Sequence, residues 1–251
     1  MAILDYLHEI TETRSLEQLW KAHQDKMAEY GFTRIIYGYT RHKTARSLGD
    51  PEDFLVLSNH STDYLDGFIR SGLYFHAPMV QWAIDNDGAC SWDWVQEQVN
   101  LGLLAPAAER VLEFNQKMDL TAGYTVSFPS ASGRFRGAIS LAAAAGVSQT
   151  QVNAIWGTHG ADIQLMNNIA HLKIITLPYV SPHRSLTERQ KETLQWVGDG
   201  KTTRDIAMIM GLTPATIEKH LRLARESLAV DTTAQAVLKA AMLNQIFQME
   251  N

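Results

Sequence analysis

Between residues 213 and 228 the chain sets Glu218, Lys219, Arg222 and Arg225 at helical spacing around a stripe of Ile217, Leu221, Ala224 and Leu228. With the apolar stripe turned inward, the charged side chains project outward. Thr213 and Thr216 stand at the N-terminal end of the same segment, where short hydroxyl side chains can meet base edges or phosphates. Cations and small hydrogen-bonding groups on one exposed helix face are the chemistry of major-groove recognition. Lys201, Arg204 and Arg184 would add phosphate contacts, which position a protein on DNA and make binding salt-dependent but read no sequence. Glu218 departs from this cationic set: it either accepts from a cytosine amino group or pairs with Arg222 four residues on. The competing reading of the whole face is a solvated charged surface on an ordinary helical bundle.

Four helix starts position that segment. Thr187 with Gln190, Thr202 with Asp205, and Thr232 with Gln235 each place a hydroxyl three residues before an acid or amide, so the two side chains can satisfy each other's orphan backbone N–H groups. Thr213 is followed instead by Pro214, whose constrained φ suits the first helical position. Gly198, Gly200 and Gly211 fall between the predicted helices. The inward residues are Leu194 and Val197 in the first helix, and Ile206, Ile209 and Met210 in the second. The unit reads as a helix-turn-helix array.

Upstream the pattern is mixed. Helices are expected over residues 15–30, 61–71, 78–85, 106–120 and 148–172, and strands over 33–40, 54–58, 123–128 and 135–141. Such an order predicts an antiparallel sheet with helices on both faces and a ligand cavity between sheet and helices. Alternation puts Ile35, Tyr37 and Tyr39 on one sheet face, which meets either the pocket or the opposite layer. The expected fold class is α+β: an N-terminal α/β/α sandwich with an antiparallel sheet over residues 1–175, a linker over 176–184 carrying Pro178 and Pro182, and an all-α helix-turn-helix domain over 185–251.

Composition narrows the function. The chain has 251 residues, 45% hydrophobic and 20% charged, which suits an ordinary globular domain plus a small one. No apolar stretch approaches the ~20 residues of a membrane span, and the N-terminus lacks the charged and apolar regions of a signal peptide; a cytoplasmic protein with no membrane partner is expected. The residues from 184 onward hold nine Lys/Arg against eight Asp/Glu, and those before it 13 against 19, so DNA must be drawn to a focused patch rather than by bulk charge. The single cysteine, Cys90, excludes a disulfide framework and reads as core or pocket lining. The nine histidines show no metal-ligand spacing, and Ser127, Ser130 and Ser132 lack a nucleophile-elbow context. Neither a cofactor nor an enzymatic activity is expected.

The run from Leu186 through Trp196, then Gly200-Lys201-Thr202, Asp205-Ile206-Ala207, Gly211-Leu212-Thr213, Thr216-Ile217 and His220-Leu221, resembles the DNA-binding domain of the LuxR family of bacterial regulators over residues 185–240. Gln190 stands where that family usually has an acid, and still completes a capping box with Thr187. A weaker resemblance extends upstream: Pro78, Trp92 and Gly123 match the pattern of the family's signal-sensing domain, whereas Tyr64, Phe68 and Ala77 stand where it has Trp, Tyr and Asp. In members that sense acyl-homoserine lactones, the resemblance implies, the Trp donates to the lactone carbonyl, the Asp accepts from the amide N–H and the Tyr offers a hydroxyl near the acyl carbonyl. Ala77 can accept nothing. A buried ligand amide would lose a charge-assisted hydrogen bond worth ~1.5–3 kcal/mol, or roughly 10–150-fold in affinity.

The expected ligand is therefore an apolar or aromatic small molecule without a homoserine lactone amide. Its expected walls are Tyr64, Phe68, Ala77, Pro78, Trp82, Trp92, Trp94, Leu57 and Ile139, with His60, Ser140 and Tyr39 orienting a polar head group. The alternative is a ligand-independent regulator whose pocket is collapsed or filled. Expected partners are double-stranded DNA, the small-molecule signal and a second copy of the chain, with RNA polymerase a further candidate. The last helix, apolar nearly all round from Ala234 to Phe247, is the expected dimer surface.

Overall fold

The computed structural model describes residues 3–44, 47–130, 132–179 and 184–247. Contacts divide the chain into two units, one of residues 1–49 and 54–175, the other of residues 50–53 and 176–251. Of the expected linker, residues 180–183, Pro182 among them, lie outside the described residues, as do 248–251 of the expected C-terminal domain.

The first unit is built on a five-stranded antiparallel sheet: β1 Phe32–Thr40, β2 Leu55–Ser58, β3 Gly88–Ser91, β4 Gly123–Phe128 and β5 Arg136–Ala143, in the order β2-β1-β5-β4-β3. Helices α1 Ile3–Glu12, α2 Leu16–Glu29 and α7 Gln149–Ile174 cover one face; α3 Thr62–Leu65, α4 Pro78–Asp85, α5 Asp93–Asn100 and α6 Pro106–Lys117 lie on the other. This is the α/β/α sandwich expected from the element order. Register decides which residue faces which layer. Tyr37, Ile139 and Val126 are neighbours across three strands, and so are Ile36, Ser140 and Thr125. The first row faces α7, since Tyr37 Oη lies 2.9 Å from His171 Nδ1. The second faces the other layer, where Ile36 packs with Tyr64 and Phe68.

The α7 side is solid. His171 stacks on Phe128 with ring centroids 4.2 Å apart, and Gly137 gives it room, because a Cβ there would sit 3.0 Å from the imidazole. Between α1, α2 and α7, the Tyr6 hydroxyl lies 2.6 Å from His23 Nδ1, and His23 Nε2 lies 3.1 Å from Asn167 Oδ1. With the Asn167 amide donating to the Ile163 carbonyl, its Oδ1 must accept, so a neutral His23 carries its proton on Nε2.

Several elements escaped the sequence. Helix α1 buries Tyr6 and Ile10, and β3 forms from Gly-Ala-Cys-Ser, a stretch of low strand propensity that is recruited by pairing with β4. Helix α5 buries no residue fully. The helix expected over residues 61–71 is α-helical over Thr62–Leu65 and then widens into a π-turn over Asp66–Arg70. Here Phe114 packs so tightly on Gly67 that a Cβ would lie 2.6 Å from its ring.

The second unit contains α8 Glu188–Gly198, α9 Thr203–Met210, α10 Pro214–Leu228 and α11 Thr233–Met242. Thr187–Gln190, Thr202–Asp205 and Thr232–Gln235 all form reciprocal capping boxes, and Thr213 caps α10 by accepting from the Thr216 N–H. Gly211 ends α9 in the left-handed region at φ 66°. Leu194, Ile206, Ile217, Leu221, Ala224, Leu228, Ala236 and Ala240 form one core. Ile209, expected inward, is 48% exposed, because α9 turns Ile206 and Ala207 to the core and Ile209 falls on its flank.

Burial pushes the imidazoles of His23 and His171 down to about 4. Between pH 6.5 and 4 the unfolded chain therefore binds more protons at these sites than the folded one, and stability falls as pH is lowered through that window, by up to ~1.4 kcal/mol per pH unit for each histidine. Thermal melts across pH 4–7 are expected to show a declining Tm below pH 6.5; His171→Gln should flatten the decline.

Candidate functional site

A cavity of about 650 Å³ lies between the sheet and the α3–α6 layer of the first unit. Its floor is the sheet row Ile36, Thr125 and Ser140 with Gly38, Ala138 and Ala142; α4 contributes Pro78, Met79, Val80, Ala83 and Ile84, and α5 contributes Val95, Gln96 and Val99. Of the residues expected at the site, Tyr64, Phe68, Ala77, Pro78, Trp92, His60 and Ser140 line it with their neighbours. Tyr64 anchors an aromatic cluster, stacking with His60 at 4.4 Å, Phe68 at 5.2 Å and Phe114 at 5.5 Å between ring centroids. Burial, reinforced by the Arg34 charge, holds the His60 imidazole down to about 4, so the ring is neutral, with one donor and one acceptor nitrogen.

Six expected residues are placed differently by the structure. Leu57 pairs with Tyr37 across the strands and so belongs to the α7 face of the sheet; it does not line the cavity. Ile139 and Tyr39 border the cavity from within the sheet, yet their side chains also belong to the α7 face: Ile139 is opposite Tyr37, and the Tyr39 ring packs on His171 and Phe135. The register thus puts the Tyr39 and Ser140 side chains on opposite faces of the sheet, although Tyr39 is among the residues that border the cavity. Trp82 on α4 and Trp94 on α5 are half-buried and are not among the residues that line the cavity. Cys90 is half-buried in β3, outside the lining, with its thiol pushed up to about 11 by burial.

Trp92 is held by a small system of its own. Its indole Nε1–H donates to Thr125 Oγ1 at 3.0 Å, and its ring lies over Gly123, where a Cβ would collide with the Leu141 carbonyl oxygen and stand 2.9 Å from the indole. Gln149 clamps the same turn: its amide donates to the Gly123 carbonyl at 3.1 Å while its carbonyl accepts from the Gly123 N–H at 2.9 Å. Thr125 and Arg136 were not anticipated. Thr125 was legible as the residue two beyond Gly123 on a strand that must alternate. Arg136 was not, since it acts by long-range hydrogen bonds to the Ala83 and Asn86 carbonyls, both 2.6 Å, that hold the end of α4.

Ala77 occupies the N-cap of α4, buried and without a side-chain cap, with Pro78 at the first helical position. The carboxylate among the described lining residues is that of Asp93, which is exposed and accepts from Asn153 Nδ2 at 2.5 Å.

In the second unit, Lys201, Arg204, Thr213, Glu218, Lys219 and Arg222 are exposed and Thr216 is half-buried. Arg225 is turned aside: adjoining the core stripe of Ala224 and Leu228, it is half-buried and donates to Thr233 Oγ1 on α11 at 2.9 Å. Glu218 does not pair with Arg222, whose guanidinium meets Glu226 at 2.5 Å.

The family model described as the autoinducer binding domain matches residues 15–174, and that of the bacterial regulatory proteins of the luxR family matches residues 184–240. The chain belongs to the LuxR-type quorum-sensing regulators. It is similar to the transcriptional activator protein LuxR of Aliivibrio fischeri, 22% identical with 87% of this chain and 82% of that protein covered, and to the transcriptional activator protein ExpR of Dickeya dadantii, 25% identical over 88% of each. Among solved structures, Escherichia coli SdiA has the same fold, with a TM-score of 0.53 at 14% identity over 98% of both chains. SdiA in complex with octanoyl-rac-glycerol matches equally, with a TM-score of 0.53 at 15% identity over 96% of this chain and 93% of that one. As a LuxR-type regulator the chain is a transcription factor rather than an enzyme. No helix among the described residues is long and apolar enough to cross a membrane.

Gly123→Ala is expected to cost roughly 1–3 kcal/mol by overpacking and to displace Trp92, read as a lowered Tm with altered tryptophan fluorescence; an unchanged spectrum and Tm would contradict this account of the Trp92 seat.

Proposed function

We propose that this regulator binds an apolar or aromatic small molecule lacking a homoserine lactone amide, and that the occupied protein reads an operator as a dimer. The observation that carries the proposal is Ala77: a buried methyl stands at the cavity wall and at the N-cap of α4, where the resemblance places an amide-accepting Asp. The nearby hydroxyls of Thr125 and Ser140 and the neutral His60 suit an ester, ketone or hydroxyl head group, and the aromatic stack suits an apolar body. A cavity of about 650 Å³ supports a ligand-responsive protein over one with a collapsed pocket. The neighbour solved with octanoyl-rac-glycerol, an ester without an amide N–H, is consistent with this ligand chemistry in the fold.

On DNA, α10 lies in the major groove with Arg222 and Lys219 toward bases or phosphates, while Lys201 and Arg204 contact the backbone; Thr213 and Thr216 cap the helix at the groove. A second copy brings another α10 about 34 Å away, one turn along the duplex. Of the apolar residues the sequence placed in that surface, Leu238 is 58% and Phe247 53% exposed and Ala234 is exposed, whereas Leu243 packs on the unit's own core. RNA polymerase remains a candidate partner of the DNA-bound dimer, and the cytoplasm its expected compartment.

Calorimetry with acyl-homoserine lactones is expected to show no saturable submicromolar binding to the native protein and a gain of about tenfold or more in Ala77→Asp, which restores an acceptor. Submicromolar binding by the native protein would refute the ligand assignment. On a selected operator, Arg222→Ala should cost ~1–3 kcal/mol and relax specificity, whereas Lys201→Ala should lower the salt slope by about one with little change in sequence preference; the opposite pattern would reverse the two roles.

A further inference from the structure

Resting on the DNA-reading function above, we propose that Glu218, held in place by Thr203, reads a cytosine amino group and sets the base preference at one position of each half-site. Glu218 is exposed on the outer face of α10, and Thr203 Oγ1 on α9 donates to its Oε1 at 2.8 Å. Thr203 is itself well anchored, being the first residue of a helix whose N-terminus is fixed by the Thr202–Asp205 capping box. Among the described residues Glu218 makes no ion pair: the cation one turn on, Arg222, is engaged with Glu226, and Lys219 is adjacent in sequence but not paired with it. Its second oxygen, Oε2, makes no hydrogen bond among the described residues.

An uncompensated carboxylate facing duplex DNA is repelled by the phosphates, so its placement there is useful only against a hydrogen-bond donor. In the major groove the donors are the amino groups of cytosine and adenine; guanine and thymine present the carbonyl acceptors O6 and O4, guanine also N7. Adenine sets its N7 acceptor beside the N6 donor, a pair that an amide can match and a carboxylate cannot. Cytosine N4 has no such neighbour, so the acceptor-only Glu218 prefers it. A flexible glutamate would lose rotamer freedom on making this contact. The Thr203 hydroxyl removes part of that loss in advance and leaves Oε2 of the exposed side chain available to accept. Thr203 is thus a positioning residue and Glu218 the reading one.

The test selects binding sites from a random double-stranded DNA library with the purified full-length chain, in native form and as Glu218→Ala, Glu218→Gln, Thr203→Val and Thr203→Ser. The native pool is expected to show a cytosine preference at one position of each half-site. Glu218→Ala should abolish it at that position by about tenfold or more and leave the rest of the consensus intact, and Glu218→Gln should shift it toward adenine. Thr203→Val should weaken the preference several-fold without changing the salt dependence of binding, and Thr203→Ser should restore it. An enriched site whose cytosine preference survives Glu218→Ala overturns the reading role, and a Thr203→Val pool identical to the native one overturns the positioning role. A native pool with no enriched sequence, whether selected with or without a cell extract that supplies ligand, would instead overturn the DNA-reading function itself, and this assignment with it.

Discussion

A β-strand can turn only every second side chain toward either face, and both faces of this sheet are covered, so each residue along it has its layer decided by parity. The row through Tyr37, Ile139 and Val126 meets α7 in tight aromatic and histidine packing, with Phe128 and His171 stacked at 4.2 Å. The row one residue out of step, through Ile36, Thr125 and Ser140, meets a layer of short helices that does not close on it. Because the first face is solid, the second can leave about 650 Å³ open without the sheet losing its support. Stability and ligand capacity are thus divided between the two sides of one sheet.

The layer above the cavity is correspondingly irregular. Glycine permits close approach where Phe114 presses on Gly67 and where Trp92 lies over Gly123, and hydrogen bonds from Gln149 and Arg136 hold the chain where regular packing is absent. Helix α5 buries no residue fully yet supplies Val95, Gln96 and Val99 to the cavity wall. Much of its apolar face therefore has no protein partner, which is what a wall completed by a ligand requires.

The second unit solves a different problem. Helices of eight to fifteen residues are marginal alone, and here each is started by a side-chain cap and held by a shared core. With the caps and core providing order, the outer face of α10 is free of structural duty except at Arg225, which is spent on Thr233. Of the exposed charged groups, Glu218 is held by Thr203 and Arg222 by Glu226, while Lys219 stands beside them, so the face is a patterned rather than a uniformly cationic surface.

What the amino-acid sequence determined by itself is local. Capping boxes, Pro78 and Pro214 at helix starts, Gly211 at a helix end and the i, i+4 stripe of α10 are all made by residues within a few positions of one another, and each is found where its spacing places it. The element order was enough for the sandwich. Tertiary structure alone decided which sheet face holds the cavity, and with it that Leu57, Tyr39 and Ile139 turn toward α7 while Thr125 turns toward the cavity. It also recruited Gly88–Ser91 as a strand and gave Glu218 to Thr203 rather than to Arg222. The physical reason is the same in each case: alternation along a strand or around a helix says which residues share a side, but only the elements packed against it, brought from distant parts of the chain, say what that side meets.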